Sequence, residues 1–202
     1  MEIMRDLIQG SEQWFAARLG IPTASMFATV MASGRGGGES KTRATYMAKL
    51  AGEIITGEPA ESFSNSHTER GNAQEGEARN LYSFTRDVEP QLVGFIRNGK
   101  KGASPDSLID ADGALEIKCR LPHIQIETLF ADKVPSENVA QCQGVLWVSE
   151  REWIDYISYS PKMPLFVKRL YRDEDYIARL AEHVDMFNAE LHRLVERVRS
   201  YG

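Results

Sequence analysis

Two carboxylates and one amine lie close together near the middle of the sequence. Asp106 follows Pro105, and further along the chain Glu116 and Lys118 are separated by a single residue. Carboxylates held within a few ångströms of each other repel unless a cation lies between them, and oxygen ligands of this kind suit Mg²⁺ or Mn²⁺. A lysine beside them would orient a water molecule and stabilise its hydroxide form. These residue types therefore indicate metal-assisted hydrolysis.

A β-hairpin is the element that must bring these side chains together. Strands are predicted over residues 107–109 and 114–119, joined by a turn at residues 111–113. Side chains alternate between the two faces of a strand, so Glu116 and Lys118 point to the same face. The hairpin would then present both groups at one end of a sheet.

The position of Asp106 depends on the register of this hairpin. Counting back from the turn places Asp106 near Ile117 and Lys118, so that the charged groups converge. A simpler interpretation is an amphipathic strand with a solvent-facing pair between Glu116 and Lys118, with Asp106 as an ordinary turn residue. The Glu-x-Lys pattern alone favours the simpler interpretation, and the Pro-Asp pair at the matching offset leaves both open.

Helices are predicted on both sides of a central run of strands. The helices span residues 11–19, 25–31 (beginning at Thr23), 42–55, 72–84, 137–148 and 173–199, and further strands span 91–96, 153–159 and 165–170. This order predicts an α/β or α+β fold in which a β-sheet is covered by helices. The chain of 202 residues is long enough for one domain with a sizeable core.

The composition is that of a globular protein in a reducing compartment. No apolar run is long enough to cross a membrane, the N-terminal residues lack an export signal, and Cys119 and Cys142 have neither metal-ligand nor disulfide spacing. We therefore expect a cytoplasmic protein. A net charge of −5 argues against a nucleic-acid partner, although an acidic site that binds divalent cations would account for part of that charge.

A glycine-rich segment at residues 33–40 predicts a loop. It is not a phosphate-binding loop of the Walker type, because Ser40 occupies the position before Lys41 where that motif requires glycine. The alternatives are a plain surface loop and a loop that touches DNA. The basic residues in or just after it are Arg35, Lys41, Arg43 and Lys49.

The last predicted helix carries an apolar seam. Its members are Ile177, Leu180, Val184, Phe187, Leu191, Leu194 and Val198. Spacings of three and four residues place them on one face of the helix. We expect this face to pack on the protein's own sheet, with a subunit interface as the alternative.

Four blocks of the sequence resemble the lambda-exonuclease (YqaJ-type) family of viral recombination exonucleases, within the PD-(D/E)xK nuclease superfamily. The blocks are QWFAARLGIPTAS at 13–25, RGNAQEGEAR at 70–79, ASPDSLID at 103–110 with LEIKC at 115–119, and AQCQGVLWV at 140–148. One departure is Ser107, where relatives commonly have glycine. The resemblance implies a single nuclease domain over residues 1–202, with a restriction-endonuclease-like core of a central mixed β-sheet flanked by helices.

The resemblance also implies a metal site. Asp106 and Glu116, with the backbone carbonyl of Ile117, would bind Mg²⁺, and Glu75 would support a second ion. Two ions per site are implied, and Mn²⁺ would substitute for Mg²⁺. Without the family, Glu75 is more simply a solvent-facing helix residue paired with Arg79 at i+4.

Lys118 and Gln141 complete the implied catalytic group. Lys118 would position the nucleophilic water and lower its pKa, and Gln141 would hold the water or the lysine. Gln143 lies two residues further on the same predicted helix and would point elsewhere, so it is the weaker candidate.

Arg18 and Ser25 form a second cluster. With Thr23 as the N-cap, Ser25 lies in the first turn of its helix, where free backbone N–H groups favour an anion. Arg18 adds a forked, permanently charged donor. In the family such a pair resembles the pocket for the 5′-terminal phosphate of DNA. The residues alone also fit a capping serine and a surface arginine.

The implied function is a Mg²⁺-dependent exonuclease. It would degrade the 5′-ended strand of linear double-stranded DNA to mononucleotides and leave 3′ overhangs for a single-strand annealing protein. Further expectations are a homotrimeric ring around DNA, no membrane association, and a phage or prophage origin in a bacterial cytoplasm. The alternatives are a restriction or junction-resolving endonuclease of the same superfamily, and a non-catalytic module that binds DNA ends.

Overall fold

The structure is a computed structural model. It describes residues 1–34, 36, 38, 40–60 and 66–201, with only the backbone of residues 66–73. The strands are β1 (Glu2–Met4), β2 (Phe95–Asn98), β3 (Lys101–Ala103), β4 (Ser107–Ile109), β5 (Gly113–Cys119), β6 (Trp153–Tyr159) and β7 (Phe166–Tyr171). The helices are α1 (Glu12–Arg18), α2 (Phe27–Val30), α3 (Lys41–Thr56), α4 (Ser66–Arg86), α5 (Pro122–Ala131), α6 (Ser136–Ser149) and α7 (Glu174–Arg199).

The strands form two sheets. The smaller is antiparallel in the order β1-β2-β3, and the larger has the order β4-β5-β6-β7. In the larger sheet β5 runs parallel to β6, while β4 and β7 are antiparallel to their neighbours. The predicted α+β fold, with a mixed sheet flanked by helices, is therefore confirmed.

The short elements depart most from the predictions. Strands β1 and β3, of three residues each, and helix α5 were not predicted. The single helix predicted from Thr23 is wrong, because the chain forms a 3-10 turn at Ala24–Met26 followed by the one-turn helix α2. Elements of three or four residues show too little periodicity to be read from sequence, and their partners in the fold define them.

The register of the β4–β5 hairpin differs from the predicted one. Ile109 lies opposite Gly113 and Ser107 opposite Leu115, so Asp106 precedes β4 at the level of Glu116 rather than of Lys118. The turn begins one residue earlier than predicted because Asp110 adopts a left-handed conformation with φ of 46°, which aspartate tolerates.

Arg151 holds this turn from the end of α6. Its Nη1 donates to the carbonyl oxygens of Ile109, Asp110 and Gly113 at 3.0, 3.0 and 2.7 Å. The residue is 8 % exposed. Glycine is needed at position 113 because a Cβ there would lie 2.2 Å from the indole of Trp153. The hairpin that carries the acidic residues is thus fixed by contacts outside itself.

Replacement of Arg151 tests this role. We expect Arg151→Met to lower the free energy of unfolding by about 2–4 kcal/mol, because buried carbonyl oxygens lose their donor. The melting temperature, measured by circular dichroism, should fall by roughly 5–15 °C. Arg193→Met, on the exposed face of α7, is the matched control, and equal melting temperatures for both variants would contradict the assignment.

The apolar seam of α7 lies in the protein's own core. Ile177, Leu180, Val184, Phe187 and Leu191 are buried, and they pack mainly against helices α3, α6 and α2 rather than on the sheet. Most of the seam is therefore already covered within the chain. Among the described residues, no helix has both the length and the apolar character needed to span a bilayer.

Candidate active site

Glu116 lies at the centre of the acidic site. It projects from β5, is 2 % exposed, and its Oε1 accepts hydrogen bonds from Lys118 Nζ at 2.6 Å and from Gln141 Nε2 at 2.5 Å. Gln141 comes from α6, which packs across the same face of the sheet. The structure therefore brings together three of the residues that the sequence singled out.

Asp106 joins this group from the start of β4. Its backbone N–H donates to Leu115 O at 3.0 Å, and its carboxylate accepts from the backbone N–H of Ile117 at 2.5 Å. Burial raises the pKa of Asp106 well above its ordinary value, and the neighbouring charges of Glu116 and Glu75 raise it further. Two carboxylates that influence each other's charge thus line one cleft, an arrangement that a cation would stabilise.

The chemistry of these donors fits a divalent cation. Glu116 Oε2 is buried and has no hydrogen-bond partner among the described residues, although a buried carboxylate oxygen without a partner is costly. No three His, Cys, Asp or Glu side chains are grouped as ready metal ligands in the part of the chain that is described. Mg²⁺ does not require such a group, since it commonly binds one or two carboxylates and keeps water and substrate phosphate as its other ligands.

Lys118 supplies the positive charge of the site. Burial lowers the pKa of Lys118, but the adjacent Glu116 and Asp106 more than offset this, so that its pKa lies above the ordinary value. The charged form of the amine is thus favoured, and a charged amine is a hydrogen-bond donor that could hold and polarise a water molecule.

Glu75 lies beside the site but faces another partner. Its carboxylate accepts a hydrogen bond from Arg79 Nη2 one turn along α4, as in the simpler interpretation of the sequence. Arg79 Nε in turn donates to Ser107 Oγ at 3.0 Å, and Ser107 Oγ donates to Asp106 O at 2.6 Å. The pair thus connects α4 to the hairpin, and the serine at the departure from the family pattern takes part in that connection.

Arg18 and Ser25 form a second group near the acidic residues. The Arg18 guanidinium lies 3.8 Å from the centre of the Trp14 ring and donates to Thr23 Oγ1 at 3.3 Å. Thr23 Oγ1 and Ser25 Oγ are 3.4 Å apart. Thr23 is the N-cap residue as predicted, but it makes no side-chain cap, and Ser25 lies in the short 3-10 turn Ala24–Met26 and not in the first turn of an α-helix. The two residues are brought together by a cluster of hydroxyl groups instead.

A cleft joins the acidic group to the Arg18 cluster. It encloses about 230 Å³, and its walls include Asp106, Glu116, Lys118 and Gln141 together with Arg18 and Ser25. The cleft thus contains both carboxylates and cationic groups. With cations held by the carboxylates, such a site could bind a phosphodiester there, while Arg18 binds an anionic group of the same ligand.

The sequence did not indicate several residues that support the cleft. Trp14 Nε1 donates to Ser104 Oγ at 2.9 Å, and Gln9 Nε2 donates to Pro105 O at 3.1 Å. Arg120 Nη2 donates to Asn138 Oδ1 at 2.9 Å, three residues before Gln141 on α6. For Trp14 the available signals were its place in the first sequence block and its spacing of four from Arg18.

Other candidates have structural partners. Gln143 Nε2 donates to Tyr171 O at 2.9 Å, and its Oε1 accepts from the backbone of Asp173 at 3.0 Å, so it points away from the cleft as predicted. Arg43 pairs with Glu190 at 2.7 Å. Arg35 lies outside the described residues.

Comparisons with known proteins identify the same relationship as the sequence blocks. A family model for the YqaJ-like viral recombinase domain matches residues 13–152. The structure is similar to the alkaline exonuclease LHK-Exo of Laribacter hongkongensis, with a TM-score of 0.85 and 34 % sequence identity over 95 % of this chain and 97 % of that one. LHK-Exo in complex with dAMP matches with the same values.

A more distant match shows the fold alone. The phage-related exonuclease of Haemophilus somnus 129PT has a TM-score of 0.67 and 15 % identity over 88 % of this chain and 96 % of that one. A comparison with curated proteins found no match. The resemblance seen in the four sequence blocks is confirmed, and the chain belongs to the YqaJ-like viral recombinase family.

Proposed function

We propose that the protein is a Mg²⁺-dependent exonuclease that degrades the 5′-ended strand of linear double-stranded DNA. The observation that carries the proposal is the cleft that Asp106, Glu116 and Lys118 line together with Arg18 and Ser25. The similarity of nearly the whole chain to an alkaline exonuclease supports the same activity. The products would be mononucleotides, in keeping with the dAMP held by that relative, and a 3′ overhang would remain.

The carboxylates would hold the metal. Asp106, Glu116 and the carbonyl oxygen of Ile117 are the proposed ligands, with Glu75 supporting a second ion once it leaves Arg79. When bound, divalent cations stabilise charge on the attacking and leaving oxygens of a phosphodiester. Mn²⁺ should substitute for Mg²⁺, whereas Ca²⁺ has looser geometry and should allow binding without cleavage.

Lys118 and Gln141 would prepare the nucleophile. The charged amine of Lys118 donates to a water molecule and favours its deprotonated form. Gln141 holds Glu116 by its amide N–H, which fixes the orientation of the carboxylate. Neither residue has to change its protonation state before the water attacks.

The Arg18 cluster would select the DNA end. Arg18 presents a forked donor beside the hydroxyl groups of Thr23 and Ser25, a combination suited to the oxygens of a terminal phosphate. An end-anchoring group at a fixed distance from the carboxylates explains removal of one nucleotide at a time. An enzyme that cuts within a strand does not require such an anchor.

A digestion assay tests the activity. With Mg²⁺, we expect mononucleotides from linear duplexes and no change in a covalently closed circular duplex. Cleavage of the circle would favour an endonuclease, the main alternative. Binding to DNA ends without hydrolysis of any substrate would favour the non-catalytic module.

The role of Arg18 gives a separate prediction. Arg18→Ala should reduce the preference for 5′-phosphorylated over 5′-hydroxyl ends by about tenfold or more, because a charge-assisted bidentate contact is lost. Initial rates on the two substrates give the ratio. Arg97→Ala, on an exposed part of β2, is the control and should keep the wild-type ratio. An unchanged ratio in Arg18→Ala would remove Arg18 from the phosphate site.

The assembly and partners are proposed from the family alone. We propose a homotrimeric ring around DNA, which would retain an acidic protein on its substrate by topology, and a single-strand annealing protein that takes up the 3′ overhang. Light scattering of the purified protein would test the trimer. A monomer at all concentrations would exclude it.

A further inference from the structure

A second cavity opens directly behind the proposed phosphate site. It encloses about 540 Å³ between helices α1, α2 and α3. Arg18, Thr23 and Ser25 line both this cavity and the catalytic cleft. The proposed anchor for the 5′-phosphate therefore forms a partition between the catalytic cleft and this second cavity.

The walls of this cavity combine positive charge, hydroxyl groups and an apolar floor. Lys41, Thr45 and Lys49 follow one edge of α3 at intervals of four residues, which places the two lysines about 12 Å apart along the helix. The floor contains Phe15 and Leu50. Nucleobases and sugars contact aromatic and aliphatic surfaces, and hydroxyl side chains can hydrogen-bond to their polar atoms. The lining therefore suits a nucleoside.

The acidic residue in the lining does not oppose this. Glu53 accepts hydrogen bonds from the backbone N–H groups of Gly20 at 2.8 Å and Ala60 at 3.2 Å. Its carboxylate is held at one end of the cavity by these donors. The volume lies within the range of about 300–1,000 Å³ that is usual for sites of small organic ligands, so one nucleoside fits beyond the partition.

From this continuity we infer that the cavity accepts the 5′-terminal nucleoside of a DNA strand that lacks a 5′-phosphate. The inference rests on the proposed function. The first internucleotide phosphate then takes the place of the missing terminal phosphate at Arg18 and Ser25, and the second linkage lies at Asp106 and Glu116. Strands with a 5′-hydroxyl end would therefore release a dinucleoside monophosphate first and mononucleotides afterwards.

The reaction is the same hydrolysis, moved by one linkage. Water attacks the phosphorus of the second linkage, and its P–O3′ bond breaks. The leaving 3′ oxygen takes a proton, so the released dinucleoside monophosphate ends in a 3′-hydroxyl. The remaining strand keeps the phosphate at its new 5′ end, and later cycles use that phosphate in the usual way.

A linkage-specific label distinguishes the two first products. A blunt duplex is made with a 5′-hydroxyl strand that carries ³²P only in its first linkage. We expect the label to be released with the wild-type protein and Mg²⁺ in a form that phosphatase cannot remove, since it lies between two sugars. If the first linkage is cut instead, the label is released in a mononucleotide and phosphatase removes it, which would overturn the inference.

A variant that fills the cavity gives the second readout. Thr45→Trp should lower the yield of labelled dinucleoside monophosphate by about tenfold or more relative to mononucleotide release from 5′-phosphorylated ends, because the indole occupies the nucleoside's space. This ratio does not depend on the folded fraction of the preparation. Ala48→Trp is the matched control, because Ala48 is exposed on α3 and lies outside the lining. An equal ratio in both variants would contradict the inference.

The outcome also separates this inference from the proposed function. If phosphorylated ends give mononucleotides and hydroxyl ends release only phosphatase-sensitive label, the proposed exonuclease activity stands. The nucleoside site in the second cavity is then refuted. No hydrolysis of hydroxyl ends would do the same. No hydrolysis of either substrate would refute both.

Discussion

Asp106→Asn is expected to lower the rate of DNA hydrolysis by about a thousandfold or more and to leave the fold at least as stable as before. The rate should fall because a charged residue of the proposed metal site is lost, and metal stabilisation of the transition state is worth several kcal/mol. The stability is kept because the amide oxygen of the substituted side chain can still accept the Ile117 N–H, while repulsion from Glu116 disappears. Single-turnover kinetics in Mg²⁺ and a thermal melt in chelator measure the two effects.

The sign of the stability effect follows from the raised pKa of Asp106. A carboxyl group whose pKa is higher in the folded state than in the unfolded state destabilises the fold once it is ionised, so its removal is favourable above the unfolded pKa. Asp112→Asn, in the exposed turn of the same hairpin, is the matched control and should hydrolyse DNA at the wild-type rate. Near-normal turnover in Asp106→Asn would refute the metal assignment.

Lys118→Met should lower the catalytic rate constant by about 10²–10⁴-fold with a much smaller change in KM. Positioned groups that assist proton transfer contribute factors of this size, and Met fills most of the volume of the lysine stem. The loss should persist at saturating Mg²⁺, because the proposed role of the amine is to hold the water and not the metal. Rates measured against both DNA and Mg²⁺ concentration separate the two effects.

The control for this prediction is Lys133→Met, on an exposed position after α5. It removes the same charge from the protein without touching the cleft. If Lys118→Met raised KM and left the catalytic rate constant unchanged, Lys118 would serve DNA binding and not the water. Full rescue of Lys118→Met by high Mg²⁺ would place the residue in the metal site instead.

The parts of the fold that were predicted correctly are those with strong local patterns. Helix α1 begins after the predicted cap Ser11, and β6 has the predicted bounds at Trp153–Tyr159. The pairing of β1 with β2 was not predictable, because Ile3 and Ile96 are far apart in sequence and neither segment alternates over enough residues. The predicted hairpin register was wrong by one to two residues for a local reason, the left-handed Asp110.

The residues of the candidate site were predicted from their types, whereas the contacts that hold those residues in place were not. Asp106, Glu116, Lys118 and Gln141 were named from spacing and resemblance, and the structure places all four on one cleft. The link from Arg79 through Ser107 to Asp106 joins a helix to a hairpin across the fold. Such contacts depend on packing and leave no periodic signal, so only coordinates reveal them. The catalytic roles themselves stay predictions.

Helix α6 touches both halves of the cleft. Gln141 holds Glu116, and one turn later Gly144 seats the 3-10 turn and α2, since a Cβ at that position would lie 2.4 Å from the Phe27 ring and 3.2 Å from Ala24 Cβ. The same helix therefore sets the separation between the metal ligands and the hydroxyl cluster at Ser25. With the proposed roles, this rigid separation would be the same in every catalytic cycle. The distance from the anchored phosphate to the linkage that is cut would then be a property of backbone packing and not of the residues in either pocket.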